Sequence, residues 1–270
     1  MYIGGTDETA YHHLANEILD NSIDEAVAGY AKTISVKLIS KNTISISDDG
    51  RGIPIDKHPK KKKTALEVVM TTLHSGGKFN NNIYKSSAGL HGVGLSVVNA
   101  LSSKLNIKIT KNSKIFNQDY SKGKVLNKIK LKGKNKIKSG TQITFSPDPE
   151  IFGKEINFKP EKIYELTKNK AYLQKGIKIN WECNKNLLNR KSQVPSKETL
   201  IFTKGIEDFL KNEINQKNIL HEKVCFQSGN LENKKGKIEF ALQFNKEKLR
   251  YGKAFCNTVF NMNGGTHDAG

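Results

Sequence analysis

Residues 11–30 place Leu14, Ile18, Leu19, Ser22, Ile23 and Ala26 on one broad face at helical spacing. At about 100° per residue, His13, Glu17, Asp20, Asn21 and Asp24 fall on a stripe opposite that face. The stripe has no lysine, although 45 of the 270 residues are lysine or arginine. Residues 33–40 and 43–48 then switch to period two, setting Ile34, Val36 and Leu38 against Ile44 and Ile46. Lys41-Asn42 between them predicts an antiparallel hairpin. An amphipathic helix feeding straight into a hairpin predicts an α+β fold.

Residues 50–94 are rich in Gly, Lys, Ser and Asn and contain one helical stretch, 65–73. Segments of that length without structure of their own are often functional lids or disordered. A helix is expected over 95–105, directly after a glycine cluster, followed by strands at 107–110, 115–120, 129–131 and 141–146. A further helix is expected over 161–173 and a strand over 177–183. The polar stretch 184–197, with Pro195, reads as a linker. Beyond it, a helix over 205–212 and strands over 237–244 and 252–260 begin a second unit.

The chain has no apolar run near the roughly 18 residues that a membrane span needs. Its first residues lack the basic start and apolar core of a signal peptide, so no membrane association and a cytoplasmic location are expected. Cys183, Cys225 and Cys256 form no metal-type pair and read as reduced thiols. The net charge of +19 invites an acidic partner, yet arginine occurs only at Arg51, Arg190 and Arg250. A lysine-rich solvated surface accounts for the charge equally well, and it lacks the forked phosphate contacts of arginine.

Three clusters carry chemistry. The carboxylates and amide of the first helix suit a hard cation such as Mg²⁺, although a solvated helix face is also polar. Asp48-Asp49-Gly50-Arg51-Gly52-Ile53-Pro54 ends a strand; it is either a plain turn or a place where backbone approaches a ligand closely. Gly89-Leu90-His91-Gly92-Val93-Gly94 leads into a helix, where exposed N–H groups favour phosphate. Its G-x-x-G-x-G spacing is not the dinucleotide fingerprint, and Gly76-Gly77-Lys78-Phe79 is not a Walker A loop.

Together these blocks resemble the ATPase domain of bacterial type IIA DNA topoisomerase B subunits, within the gyrase, Hsp90, histidine kinase and MutL ATPase superfamily. The resemblance includes Glu17-Ile18-Leu19-Asp20-Asn21-Ser22-Ile23-Asp24-Glu25-Ala26, the Asp49–Pro54 block, Leu73-His74-Ser75-Gly76-Gly77-Lys78-Phe79 and the terminal Gly264-Gly265-Thr266-His267. Ser146-Pro147-Asp148-Pro149-Glu150-Ile151-Phe152-Gly153 and Lys170-Ala171-Tyr172-Leu173 are more similar to the B subunits of topoisomerase IV than to those of gyrase.

The resemblance implies a two-layer sandwich: a mixed, mostly antiparallel sheet with helices on one face, then the start of an α/β transducer domain. Residues 1–195 would bind ATP, with a lid at about 75–94, and residues 196–270 would begin the transducer. It implies Glu17 as general base, His13 as its orienter, and Asn21 as the Mg²⁺ ligand, with Asp24 beside them. Asp48 would accept the adenine amine, helped by Thr141 through a water, with Arg51, Gly52, Ile53 and Pro54 around the base. Lys78 and Tyr84 would come from the lid, and the backbone of Gly89, Leu90, His91, Gly92, Val93 and Gly94 would cradle the phosphates.

Implied partners are DNA, the A-type cleavage subunit, and a second copy upon ATP binding. Two features depart from the family pattern: Ala88 stands where a glycine is frequent, and Lys111 where an arginine is. The family's N-terminal arm and switch-loop lysine have no counterpart in these 270 residues, so slow hydrolysis and a mostly monomeric state are expected of them alone. Rival expectations are an Hsp90-like, MutL-like or kinase ATPase, and a lysine-rich nucleic-acid module without turnover.

Overall fold

The computed structural model describes residues 3–58, 61–75, 92–134, 136–189, 192–214, 218–230, 236–246, 252–261 and 264. Asp7 accepts a hydrogen bond from the Ala10 N–H at 2.9 Å, so the first helix, α1 (Glu8–Val27), starts three residues before its apolar stripe predicts. Gly29, at φ 80°, lets the chain leave the helix and turn into the sheet.

Strands β1 (Thr33–Ser40) and β2 (Thr43–Asp48) form the expected antiparallel hairpin, with Leu38 opposite Ile44 and Ile34 opposite Asp48. Helices α2 (Ala65–Thr71) and α3 (Gly94–Ala100) follow. Next come β3 (Ser102–Lys111), β4 (Lys114–Ser121), β5 (Lys124–Val125), β6 (Lys130–Lys134) and β7 (Gly140–Pro147). After α4 (Pro149–Phe152) and α5 (Pro160–Leu173), β8 (Lys178–Cys183) and β9 (Lys197–Leu200) close the first sheet. The polar stretch 184–197 therefore leads back into that sheet, and Pro195 accepts the Trp181 indole N–H at 2.8 Å.

The sheet has nine strands in the order β5-β4-β3-β7-β2-β1-β8-β9, with β6 also paired to β4. Only β1 and β8 run parallel among its pairs. One face carries Ile34, Val36, Ile46, Ile107, Ile143 and Ile179, all buried in one cluster with Leu14, Ile18 and Ile23 of α1. Burial of such side chains stabilises by about 1.5–3 kcal/mol each. The other face is polar: Ser45 accepts from Gln142 at 3.1 Å and from Thr144 at 2.9 Å. The expected α+β architecture, a mixed and mostly antiparallel sheet with helices on one face, is what the chain adopts.

Other element boundaries also differ from expectation. The helix expected over 95–105 stops at Ala100, and β3 begins at Ser102. Leu101 and Leu105 fit helical spacing, but Leu105, Ile107 and Ile109 also fit period two, and the sheet takes them. The strand expected over 252–260 is a hairpin, β12 (Ala254–Cys256) and β13 (Val259–Asn261), turned by Asn257 and Thr258 at φ 48° and 67°. It follows α6 (Ile206–Glu213) and a second hairpin, β10 (Cys225–Asn230) and β11 (Lys237–Leu242). All three cysteines are free thiols, and burial pushes Cys183 up to about 11.

A histidine pins α1 to α5. His12 Nδ1 lies 2.7 Å from the Glu8 carbonyl, and its Nε2 accepts the Lys159 N–H at 2.8 Å, so the ring is held neutral. Burial is the main cause of its lowered pKa. The unfolded chain therefore binds this proton first, and stability from His12 is lost as pH falls below about 6.5. Thermal unfolding from pH 7.5 to 5 is expected to show a larger acid loss in the wild type than in His12→Gln. Parallel curves for the two would contradict the assignment.

Candidate functional site

Ser22 on α1 donates to Asp48 Oδ2 at 3.0 Å, and the Gly50 N–H donates to Oδ1 at 3.0 Å. Burial pushes the Asp48 carboxyl up to about 7; these two donors pull the other way, and the Glu25 charge adds to the rise. An acid in that position is poised between charged and neutral forms. Asp48 also sits opposite Thr141 in the β2–β7 ladder. Gly140, at φ 156°, precedes Thr141, and any Cβ there would collide with the Asp48 carbonyl. At Gly52, φ 76°, a Cβ would lie 3.1 Å from the Thr110 carbonyl and 3.2 Å from that of Gly140. The turn after β2 is thus pressed against the ends of β3 and β7 by glycines.

Arg51 is fixed from two sides. Its Nε and Nη2 donate to Glu25 Oε2 and Oε1 at 3.1 and 2.7 Å, and its guanidinium lies 3.8 Å from the Tyr30 ring centroid. That fork and stack anchor the turn to the end of α1. Ile53 packs partly buried on the core, and Pro54 follows it, exposed. Lys111 reaches Asp56 Oδ2 at 2.7 Å, just beyond this turn.

One to two turns back along α1, Glu17 is only 4 % exposed, and His13 Nε2 lies 3.2 Å from its Oε1. Asn21 Nδ2 donates to the Glu17 carbonyl at 2.8 Å, which fixes the amide beside the acid. A Cβ on Gly94, the first residue of α3, would land on Glu17 Oε2. Gly92 sits at φ 62°, Val93 is buried, and α3 has no side-chain cap, so its first N–H groups need another acceptor.

The stripe on α1 is not a solvated face: Glu17, Asp20 and Asp24 are all buried. It also divides, because Asp20 turns to Lys170 on α5 while Glu17 faces α3. Lys78, Tyr84, Gly89, Leu90 and His91 lie outside the described residues. The residues brought together are thus Glu17, His13 and Asn21 at Gly94, and Asp48, Arg51, Gly52 and Thr141 around one turn.

Ser22, Glu25 and Gly140 also touch the turn after β2, and Ser22 and Gly140 carry no sign of it in the sequence pattern. Ser22 reads as part of the apolar face, and Gly140 only as the residue before an expected strand. Only the Glu25–Arg51 charge pair, split across 26 residues, offered a signal.

No group of three or more His, Cys, Asp or Glu side chains among the described residues could hold a metal by itself. A cation here would take one or two protein oxygens and fill its shell with phosphate oxygens and water, as Mg²⁺ commonly does. The Asn21 amide beside Glu17 fits that donor set. Asp48, a buried acceptor at a strand end, fits an exocyclic amine. A separate depression of about 930 Å³, lined by Tyr11, Thr43, Asn106 and Ser146, involves none of these residues.

Residues 6–151 match the family model described as histidine kinase-, DNA gyrase B-, and HSP90-like ATPase, and residues 205–270 match the one for DNA gyrase B. Over its whole length the chain is 48% identical to the B subunit of DNA topoisomerase 4 from Rickettsia bellii, spanning 41% of that protein. Against the Caulobacter vibrioides protein of the same name, the whole chain is 43% identical and spans 39%. The B subunit of DNA gyrase from Thermotoga maritima is 39% identical over 99% of the chain and 41% of the relative. Among solved structures, the 43K ATPase domain of Thermus thermophilus gyrase B, in complex with an aminocoumarin, superposes with a TM-score of 0.72. It is 37% identical, over 86% of this chain and 57% of that one. The chain therefore spans about two fifths of the curated relatives it matches.

Proposed function

Given that this chain belongs to the histidine kinase-, DNA gyrase B- and HSP90-like ATPase family, we propose that it binds and hydrolyses Mg²⁺-ATP for a type IIA DNA topoisomerase, as part of a B subunit of the topoisomerase IV type. The observation that carries this reading is that α1 reaches both ends of one site. Ser22 bonds Asp48 at the end of β2, and Glu17 abuts Gly94 at the start of α3.

Asp48 accepts the adenine amine, Thr141 supports it, and Arg51, Gly52, Ile53 and Pro54 flank the base. Asn21 holds Mg²⁺, which when bound neutralises phosphate charge. The backbone from Gly89 to Gly94, together with Lys78 and Tyr84, would contact the phosphates, as the resemblance implies, and Asp24 supports the α1 side of the site. Glu17 takes a proton from the attacking water, and His13 holds its carboxylate in position. Positioning and electrostatics do most of the work in phosphoryl transfer, which suits a site with one base and few cations.

In the whole protein, ATP binding would bring two copies together and gate passage of DNA cleaved by the A-type subunit, in the cytoplasm. No helix among the described residues is long and apolar enough to cross a membrane. The ATP-binding unit, with its lid at about 75–94, runs past the expected boundary at 195, because β9 (Lys197–Leu200) completes its sheet, and the transducer begins after it. The two family matches, over 6–151 and 205–270, fit a division between them.

Calorimetric titration of the chain with ATP and Mg²⁺ tests the reading. Both Asp48 oxygens accept freely only in the ionised carboxylate, so affinity should be constant above pH 8. It should fall up to about tenfold per unit below the group's pKa of about 7. Absence of heat from ATP at pH 8, with the chain folded, would remove the proposal.

A further inference from the structure

Two buried charges outside that chemistry join three distant parts of the chain. The Lys170 and Asp20 side chains are 4 % and 8 % exposed, and Lys170 Nζ lies 2.6 Å from Asp20 Oδ1. The same ammonium donates to the Thr258 carbonyl at 2.9 Å and reaches its hydroxyl at 3.5 Å. The second Asp20 oxygen accepts from Asn16 Nδ2 at 2.9 Å, so the carboxylate is fixed within α1 as well as from α5.

Removing two charges from water often costs more than their attraction returns, and such pairs are poor evidence for stability. Their better-attested use is to specify one arrangement over others. The hairpin's other contacts among the described residues run to α6 and α5: Lys253, just before β12, lies 2.7 Å from Glu213 Oε2 of α6, and neither it nor the apolar contacts reach α1. Phe209 of α6 meets Tyr172 of α5 and Phe255 of β12 edge to face, both at 5.5 Å, and such contacts can slide. The Lys170 hydrogen bond to the Thr258 carbonyl is directional. Thr258 also holds φ 67°, a conformation that β-branched residues seldom adopt, and it does so with its carbonyl on Lys170.

Asp20 is the residue before Asn21 and lies one turn after Glu17. The β12–β13 hairpin belongs to the segment matched by the DNA gyrase B model. We propose that Lys170 is a positioning residue that ties the β12–β13 hairpin to the nucleotide helix α1, so that nucleotide on α1 and order in the hairpin are coupled. The coupling rests on the ATP-binding reading above. By reciprocity, whatever holds the hairpin also tightens nucleotide binding.

Hydrogen exchange over residues 254–261 tests this, with and without Mg²⁺ and a non-hydrolysable ATP analogue. The wild type is compared with the double variant Asp20→Asn, Lys170→Met, which removes both charges at similar volume. Exchange in the wild-type hairpin should slow at least about fivefold on binding. The double variant should bind the analogue within about threefold of wild type, yet show less than about a twofold hairpin response. Thr258→Ala, which keeps the carbonyl, should behave as wild type.

An equal response in the double variant overturns the coupling. So does a wild type that binds the analogue with no change in the hairpin, a result that needs no variant to fold. A wild type that binds no analogue in the accompanying titration overturns the nucleotide reading itself, and the coupling with it.

Discussion

Asp48→Asn is expected to weaken ATP binding by at least about 100-fold while leaving the chain folded. The carboxylate already accepts the Ser22 hydroxyl and the Gly50 N–H, and the adenine amine would be a further donor. An asparagine has one accepting oxygen and a nitrogen that only donates. Either orientation turns that nitrogen toward a group that also donates, at the Gly50 N–H or at the amine. A lost bond to a charged group is worth about 1.5–3 kcal/mol, and the opposed donors add to it.

Stability should move the other way. The folded Asp48 pKa lies above the ordinary aspartate value of 3.8, so its ionisation costs stability as pH rises from there through about 7. Asparagine removes that cost, and the variant should melt at or above the wild-type temperature at pH 8. Weak binding with a raised or unchanged melting temperature is the signature of a lost recognition group. Affinity within about threefold of wild type would move the adenine elsewhere.

Glu17→Gln is expected to do the opposite, preserving ATP affinity within about threefold while cutting turnover per bound ATP by about 10²–10⁴. Glutamine keeps the shape that packs against Gly94 and can still meet His13, but it cannot take a proton from water. The comparison is best made in single-turnover experiments, where nucleotide release does not limit the rate. Equal loss of binding and turnover would mean that Glu17 holds ATP rather than activating water. Unchanged turnover would pass the base to another group.

Much of the site was legible because its chemistry is local in sequence. His13, Glu17 and Asn21 share one side of a helix at spacings of four, and Asp48 to Pro54 lie in a single turn. The hairpin of β1 and β2 was equally plain, since period two survives without help from distant residues. What sequence hid depends on contacts across the sheet. Gly140 is needed only because β7 brings its backbone onto the Asp48 carbonyl. Ser22 lies among apolar neighbours on α1, so its bond to Asp48 has no sign in periodicity.

The buried state of the acidic stripe was hidden for the same reason. A carboxylate-lined face looks solvated until α3 and α5 close over it, and the two helices then draw Glu17 and Asp20 apart. The end of α3 was misplaced because Leu105 satisfies both periods at once, and pairing with β4 and β7 decides between them. Asn257-Thr258 lacks the glycine of the usual two-residue hairpin turn, so one expected strand became two.

The most direct test is a crystal structure of this chain with Mg²⁺ and a non-hydrolysable ATP analogue. The adenine amine is expected within hydrogen-bond distance of an Asp48 oxygen, the cation on Asn21 Oδ1, and a water between Glu17 and the γ-phosphate. A nucleotide bound with its base away from Asp48, or with its phosphates remote from Glu17 and Gly94, would contradict the assignment.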